Sequence, residues 1–72
     1  MEERVLNIVS SFVGTSADEL KNKIDTEGVW DSLQKVEIVI AIEDEFDISF
    51  TQEEIAELKT INQINELIKG KM

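Results

Sequence analysis

Apolar side chains recur at steps of three and four residues in three segments of the chain, which is the spacing of a helix with one buried face. Gly14 ends the first segment, and glycine commonly terminates helices. Ser32 begins the second segment, and Gly70 ends the last, so that residues 70–72 are predicted to fray. The apolar positions are Val5, Ile8, Val9, Phe12 and Val13, then Leu33, Val36, Val39, Ile40, Ala41, Ile42 and Phe46, then Ile61, Ile64, Leu67 and Ile68. The pattern predicts three long helices.

Pairs of polar side chains mark where helices begin. In a capping box, a Ser, Thr or Asp side chain bonds the backbone N–H three residues later, and a Glu or Gln at that position bonds back. Four pairs have this spacing, namely Ser16 with Glu19, Asp31 with Gln34, Thr51 with Glu54, and Thr60 with Gln63. They predict one helical turn carrying Leu20 and Ile24, a long helix from Ser32, a short helix with Ile55 and Leu58, and the last helix.

Two connections complete the predicted architecture. Residues 15–31 form a long polar loop with one helical turn, and residues 47–50 form a short extended connector anchored by Ile48 and Phe50. Long loops in small domains are usually functional or mobile. The expected class is all-α, a small antiparallel four-helix bundle with three longer helices and one short helix. Seventy-two residues allow a single domain spanning 1–72.

Composition narrows the chemistry. The chain has no cysteine and no histidine, which excludes disulfides and zinc sites of the usual kind. Histidine is also the most frequent general base and activates many serine nucleophiles. We expect a bundle of this size to offer no deep cleft. The sequence therefore predicts a protein that is not an enzyme and holds no metal.

Charge indicates which partners to expect. Sixteen acidic residues against seven basic ones give a formal net charge of −9. Such a surface repels nucleic acids and anionic lipids and attracts basic patches on proteins. The first residues are acidic, and no apolar run is long enough for a signal sequence or a membrane span. We expect a cytoplasmic monomer that binds no nucleic acid and does not insert into membranes.

The segment from Asp31 to Phe46, DSLQKVEIVIAIEDEF, resembles the signature of acyl and peptidyl carrier proteins. In that family Asp-Ser-Leu opens the second helix, and a run of apolar and acidic residues ends in Glu-Glu-Phe. The resemblance extends over nearly the whole chain, with Thr60-Ile61 before the closing helix. It implies that a phosphopantetheinyl transferase (holo-ACP synthase) attaches 4′-phosphopantetheine to Ser32. It also implies that this arm carries acyl or aminoacyl groups as thioesters and presents them to loading and transfer enzymes.

Physical reasoning supports the placement of the arm. A serine in the first turn of a helix lies near unpaired backbone N–H groups and the positive end of the helix dipole, where a phosphate is stabilised. Asp31 caps this helix, a contribution on the order of 1 kcal/mol. By resemblance, Asp31 also helps the transferase to position its metal and the serine hydroxyl. Trp30 stands where the family has a small residue, and two interpretations remain open: a loop aromatic packed on the bundle, or a wall beside the cargo.

The same resemblance suggests a docking face on the second helix. Leu33 and Ile40 match apolar contact positions, and both could equally belong to the core. Glu37, Glu43, Asp44 and Glu45 match acidic recognition residues, which would speed docking to basic patches, although a purely solvated role is as well supported for each. The remaining apolar positions of this helix are predicted to be core, namely Val36, Val39, Ile42 and Phe46.

One departure concerns the residues just after the serine. Carriers of fatty-acid synthesis commonly have an acidic residue two positions after the serine, where this chain has Gln34, followed by Lys35. The docking face near the arm is therefore less acidic. Together with Trp30 and a first helix that starts close to the beginning of the sequence, this resembles a specialised stand-alone carrier from a polysaccharide, lipid-modification or secondary-metabolite pathway.

Two alternatives belong to other functional classes. One is an acidic helical adaptor that binds a basic partner and carries no prosthetic group. The other is a calcium-binding helix–loop–helix, because acidic or hydroxyl residues occupy the spaced positions of a calcium loop from Glu43 to Glu54. That loop requires glycine where this chain has Ile48, and aspartate where it has Glu43.

Overall fold

The structure, a computed structural model, describes residues 2–71, and these contain helices and no strand. The helices are α1 (Glu2–Val13), α2 (Ala17–Leu20) with a 3₁₀ turn (Lys21–Lys23), α3 (Ser32–Phe46), α4 (Gln52–Glu57) and α5 (Ile61–Lys71). The all-α class and the three long helices are confirmed. The antiparallel arrangement of the bundle stays a prediction.

The predicted helix starts are formed by the predicted side chains. The Gln34 N–H donates to Asp31 Oδ1 at 2.7 Å, and the Asp31 N–H donates to Gln34 Oε1 at 3.0 Å. Reciprocal bonds of the same kind join Thr51 with Glu54 and Thr60 with Gln63. At Ser16 the structure shows the forward bond from the Glu19 N–H, at 3.3 Å. These caps satisfy N–H groups that a helix start leaves without a partner.

Residues in left-handed backbone conformation end two helices. Gly14 has φ 75° and donates its N–H to the Ser10 carbonyl at 3.0 Å, which confirms it as the stop of α1. Asp47 ends α3 with φ 55°, a conformation that favours glycine because it crowds a Cβ. The Ile48 N–H donates to the Glu43 carbonyl at 3.1 Å, which closes this turn.

The last helix is longer than predicted. It passes through Gly70 and ends at Lys71, so the predicted stop at Gly70 is wrong. Lys71 Nζ lies 2.9 Å from a Glu54 carboxylate oxygen and 5.7 Å from the centroid of the Phe50 ring. These long-range contacts hold Lys71 in place, whereas the prediction considered only the local helix-stop signal. Met72, the last residue of the tail predicted to fray, lies outside the described residues.

The core is built around α1, which packs against α2, α3 and α5. Its buried apolar side chains are Val5, Leu6, Val9, Leu20, Ile38, Val39, Ile42, Phe50, Leu58, Ile61, Ile64 and Ile68. The prediction that Val36 belongs to the core is wrong, because this side chain is 49% exposed, and Ile38 is buried instead. Residues 38–42 are all apolar, so periodicity alone does not select one face of α3.

The connection between α1 and α3 is more ordered than a simple loop. It contains the helical turn that the capping box at Ser16 predicts, α2, followed by the 3₁₀ turn. Leu20 at the end of α2 is fully buried in the core. The Asn62 N–H of α5 donates to the Ile24 carbonyl at 2.8 Å, which ties the connection to the last helix. Residues 24–31 then lead directly to the start of α3.

The helices were also compared with the length and apolar composition of a membrane span. No helix within residues 2–71 combines the length and the apolar character that crossing a bilayer requires.

Candidate functional site

Ser32 is the first residue of α3, and its side chain is exposed. Asp31 precedes it in extended conformation and caps the helix, so the position of Ser32 follows from the capping box. The first turn of a helix carries unpaired N–H groups and partial positive charge. The serine hydroxyl is therefore accessible to another protein and lies where a phosphate group is favoured.

Gln34 connects this helix start to α1. Its Nε2 donates to the Phe12 carbonyl at 3.1 Å, close to the end of α1. The sequence prediction assigned Gln34 to the cap and to a less acidic surface, and it missed this bond because the two residues are 22 positions apart. The start of α3 is thus held both by a local cap and by a tertiary hydrogen bond.

A cavity of about 220 Å³ lies beside Ser32. Residues from the loop before α3, from α3 itself and from the end of α4 line it, including Gly28, Trp30, Ser32, Lys35, Leu58 and Lys59. Trp30 is half-buried and packs against the core, which confirms its interpretation as a loop aromatic on the bundle. The same side chain lines the cavity, so the indole is next to the candidate attachment point.

Lys35 links α3 to α4 at the edge of this cavity. Its side chain is half-buried, and Nζ donates to the Ala56 carbonyl at 3.3 Å, near the end of α4. The carbonyls at the C-terminus of a helix carry partial negative charge and attract a cation. Sequence reasoning placed Lys35 near the serine but did not predict this contact across the fold.

Comparison with protein families identifies the chain. A family model described as the phosphopantetheine attachment site matches residues 3–68. The chain belongs to this family. The family attaches 4′-phosphopantetheine covalently to a serine, so this protein is a phosphopantetheine-carrying carrier protein, and the resemblance seen in the sequence is confirmed. Carrier domains of the family are generally non-catalytic and work with transferases and biosynthetic enzymes.

The carrier displays an apolar strip along α3, formed by Leu33, Val36 and Ile40. Their side chains are 72%, 49% and 60% exposed, and they are the exposed large hydrophobic residues found within residues 2–71. Leu33 and Ile40 therefore lie on the surface and outside the core. A contiguous exposed apolar surface on a small protein commonly marks an interaction site.

The acidic residues of α3 differ in their exposure and in the contacts that their carboxylates make. Glu37 and Asp44 are exposed, whereas Glu43 is half-buried and its Oε2 accepts the Phe50 N–H at 2.7 Å. Glu45 Oε2 lies 3.6 Å from Arg4 Nη1 on α1. The docking role of Glu37, Glu43 and Asp44 stays a prediction, and Glu43 has a structural role that the sequence did not reveal.

The calcium-binding alternative requires a loop that the structure does not form. Glu43 and Glu45 lie in the last turn of α3, and Glu54 bonds the Thr51 N–H at 2.8 Å and pairs with Lys71. Among the described residues, no group of three or more acidic side chains is arranged to hold a metal ion. The spacing of acidic residues in the sequence therefore does not correspond to a coordination shell.

Proposed function

We propose that Ser32 is the residue that carries 4′-phosphopantetheine and that the carrier presents acyl or aminoacyl groups to partner enzymes. The observation that carries this proposal is the exposed Ser32 hydroxyl at the first position of α3, beside a cavity at the protein surface. The proposal combines this geometry with the family's covalent chemistry on a serine.

The residues around Ser32 suit the proposed attachment. The helix start favours a phosphodiester electrostatically, and Asp31 and Gln34 keep α3 beginning at Ser32. When bound, the arm supplies a thiol that carries the acyl group as a thioester. The chain itself contains no cysteine, so no thiol of the protein competes with that of the arm.

We propose that the strip of Leu33, Val36 and Ile40 is the surface on which partner enzymes dock. It begins directly after Ser32 and extends for about 10 Å along α3, at 1.5 Å per residue. Glu37 and Asp44 are exposed on the same helix and would orient a basic patch on the partner. The phosphopantetheinyl transferase and the loading enzymes are the expected partners.

The adaptor alternative, which needs no arm, loses support because the family match covers residues 3–68 and defines the family by its arm.

A mass measurement tests the attachment site. Incubation with a phosphopantetheinyl transferase and coenzyme A should add the mass of one phosphopantetheinyl group to the wild-type protein and none to Ser32→Ala. Ser49→Ala is the matched control, because Ser49 is also exposed but lies in the connector after α3, and it should be modified like the wild type. Circular dichroism should show the same helical content in all three. Mass addition to Ser32→Ala would refute Ser32 as the site.

A further inference from the structure

We propose that Lys35 and Lys59 seat the phosphodiester and the adjoining part of the arm against Trp30, so that the carrier presents its thiol from an anchored arm. This inference rests on the proposed attachment at Ser32. The family match concerns attachment of the arm to a serine, and it assigns no role to Lys35, Lys59 or Trp30.

Charge distribution is the first argument. Only seven basic residues stand against sixteen acidic ones, yet two of the seven, Lys35 and Lys59, line the cavity that contains Ser32. Glu27 and Asp31 also line it, so the cavity is balanced in formal charge, whereas the molecule carries −9. A phosphodiester fixed to Ser32 therefore meets less repulsion at this cavity than over the acidic remainder of the surface.

The placement of the two lysines is the second argument. The bond from Lys35 Nζ to the Ala56 carbonyl holds the ammonium group between α3 and the end of α4. Lys59 follows Leu58, the residue that ends α4, and it lines the same cavity as Lys35. Glu27 and Asp31 also line the cavity, and their carboxylates compete with the phosphodiester for the two lysines.

The size and walls of the cavity determine which part of the arm it can take. Pockets that enclose a drug-sized ligand measure about 300–1,000 Å³, and this cavity, at about 220 Å³, is smaller. Trp30 and Leu58 supply apolar walls, which suit the dimethyl-substituted carbon that follows the phosphate in the arm. The cavity is a shallow depression open to solvent, so in this proposal it takes only the proximal part of the arm and leaves the thiol outside.

Trp30 provides a direct readout. It is the only tryptophan, and the chain has no tyrosine, so intrinsic fluorescence reports on the surroundings of Trp30, which include the cavity. Acrylamide quenching should be measured on the unmodified protein and on the protein carrying the arm. Acrylamide is uncharged, so charge changes do not alter its local concentration. We expect arm attachment to lower the quenching constant by about twofold, because the seated arm covers the indole.

Variants identify the role of the lysines. In the modified Lys35→Gln/Lys59→Gln protein, acrylamide quenching should return towards the level of the unmodified protein. An exposed ion pair contributes about 0.2–1 kcal/mol. Loss of both pairs therefore lowers the ratio of seated to unseated arm by a factor of about two to thirty. Modified Lys59→Gln alone should show part of this effect. The control Lys23→Gln/Lys69→Gln removes the same charge at exposed positions that do not line the cavity, and it should stay protected. High salt should raise quenching in the modified wild type and not in the Lys35/Lys59 variant.

The outcomes separate this inference from the proposed function. If mass is added at Ser32 but the quenching constant is the same before and after modification, the arm is not held against Trp30. This result would overturn the present inference and leave the proposed attachment site intact. Protection that survives the double substitution would overturn the role of the two lysines. Absence of mass addition to the wild type would overturn both proposals.

Discussion

Glu43 illustrates how one residue can match a family pattern and still have a structural role of its own. Its position agrees with the acidic recognition residues of carrier proteins. In the structure its Oε2 accepts the Phe50 N–H, and Phe50 belongs to the core. A polar backbone group that loses its partner at a buried position costs free energy of folding. Substitutions at Glu43 therefore cannot be interpreted as docking effects alone.

We expect Glu43→Lys to lower the free energy of unfolding by about 1–3 kcal/mol, because the Phe50 N–H loses its acceptor. Glu43→Gln keeps an acceptor oxygen and should cost less than half as much. Chemical denaturation measures both. Asp44→Lys is the control, since it makes the same charge change at the exposed neighbour. If Glu43→Lys is as stable as Asp44→Lys, the hydrogen bond contributes nothing.

Glu54 is the residue whose ionisation is most clearly coupled to the fold. The hydrogen bond from the Thr51 backbone, followed by that from Lys71, lowers the pKa of the Glu54 carboxyl below its ordinary value, against a smaller opposing effect of desolvation. A carboxyl with a lowered pKa stabilises the fold at pH values above its unfolded pKa. That contribution is lost as pH falls through the lower, folded pKa.

The Glu54→Gln variant tests this coupling. Glutamine can keep the cap, as Gln34 and Gln63 do at their helices, but it cannot titrate. The wild type should be more thermally stable than Glu54→Gln at pH 7, and the difference should shrink below about pH 4.3, the ordinary glutamate pKa. Glu53→Gln removes a charge from the adjacent exposed position and serves as the control. A pH-independent difference between wild type and Glu54→Gln would contradict the prediction.

At the scale of elements, α3 combines two functions because it is apolar on both sides. One side packs against α1 and buries Ile38 and Ile42, and the other leaves Leu33, Val36 and Ile40 exposed. The first side holds the helix in the fold. The second side, next to Ser32, is available for a partner.

Charge reversal on α3 should slow modification without unfolding the carrier. We expect Glu37→Lys/Asp44→Lys to reduce kcat/KM of the phosphopantetheinyl transferase on the order of tenfold, because complementary charge mainly accelerates association. The same rate constant for the wild type should fall as salt rises. Glu19→Lys/Glu66→Lys is the control, since it makes an equal change of net charge at exposed positions on other helices. Equal effects of the two pairs would refute docking through α3.

At the scale of the whole molecule, a small core is combined with a large net charge. Seventy-two residues carry a formal charge of −9, and mutual repulsion of this kind opposes the compact state. Ions that screen the repulsion should therefore stabilise the fold without occupying a particular site.

We expect Tm to rise with sodium chloride, and magnesium or calcium at matched ionic strength to add little beyond the sodium effect. Thermal unfolding monitored by circular dichroism measures this. One-to-one calcium binding near micromolar affinity, with stabilisation that sodium cannot reproduce, would show a specific site and would revive the calcium-loop alternative.

Much of the fold and the position of the candidate site could be predicted from the sequence alone. Gly14, the Asp31–Gln34 pair and the Thr51–Glu54 pair mark helix boundaries through bonds between residues at most a few positions apart, and the structure forms those bonds. The family signature likewise resides in a continuous segment from Asp31 to Phe46. Such features can be recognised because local sequence and local geometry contain the same information.

Only the tertiary structure decided which side of each helix is buried and which distant residues the helices contact. It buried Ile38 and exposed Val36, because α1 packs on one side of a helix whose apolar residues lie on more than one side. Bonds between distant residues followed from the same packing, as for Gln34 with Phe12 and for Lys35 with Ala56. The cavity beside Ser32 is likewise formed by segments far apart in the chain. The sequence determined where α3 begins, because its cap is formed by neighbouring residues. The packing of the other helices determined what surrounds that helix start, because those contacts join residues that are far apart in the sequence.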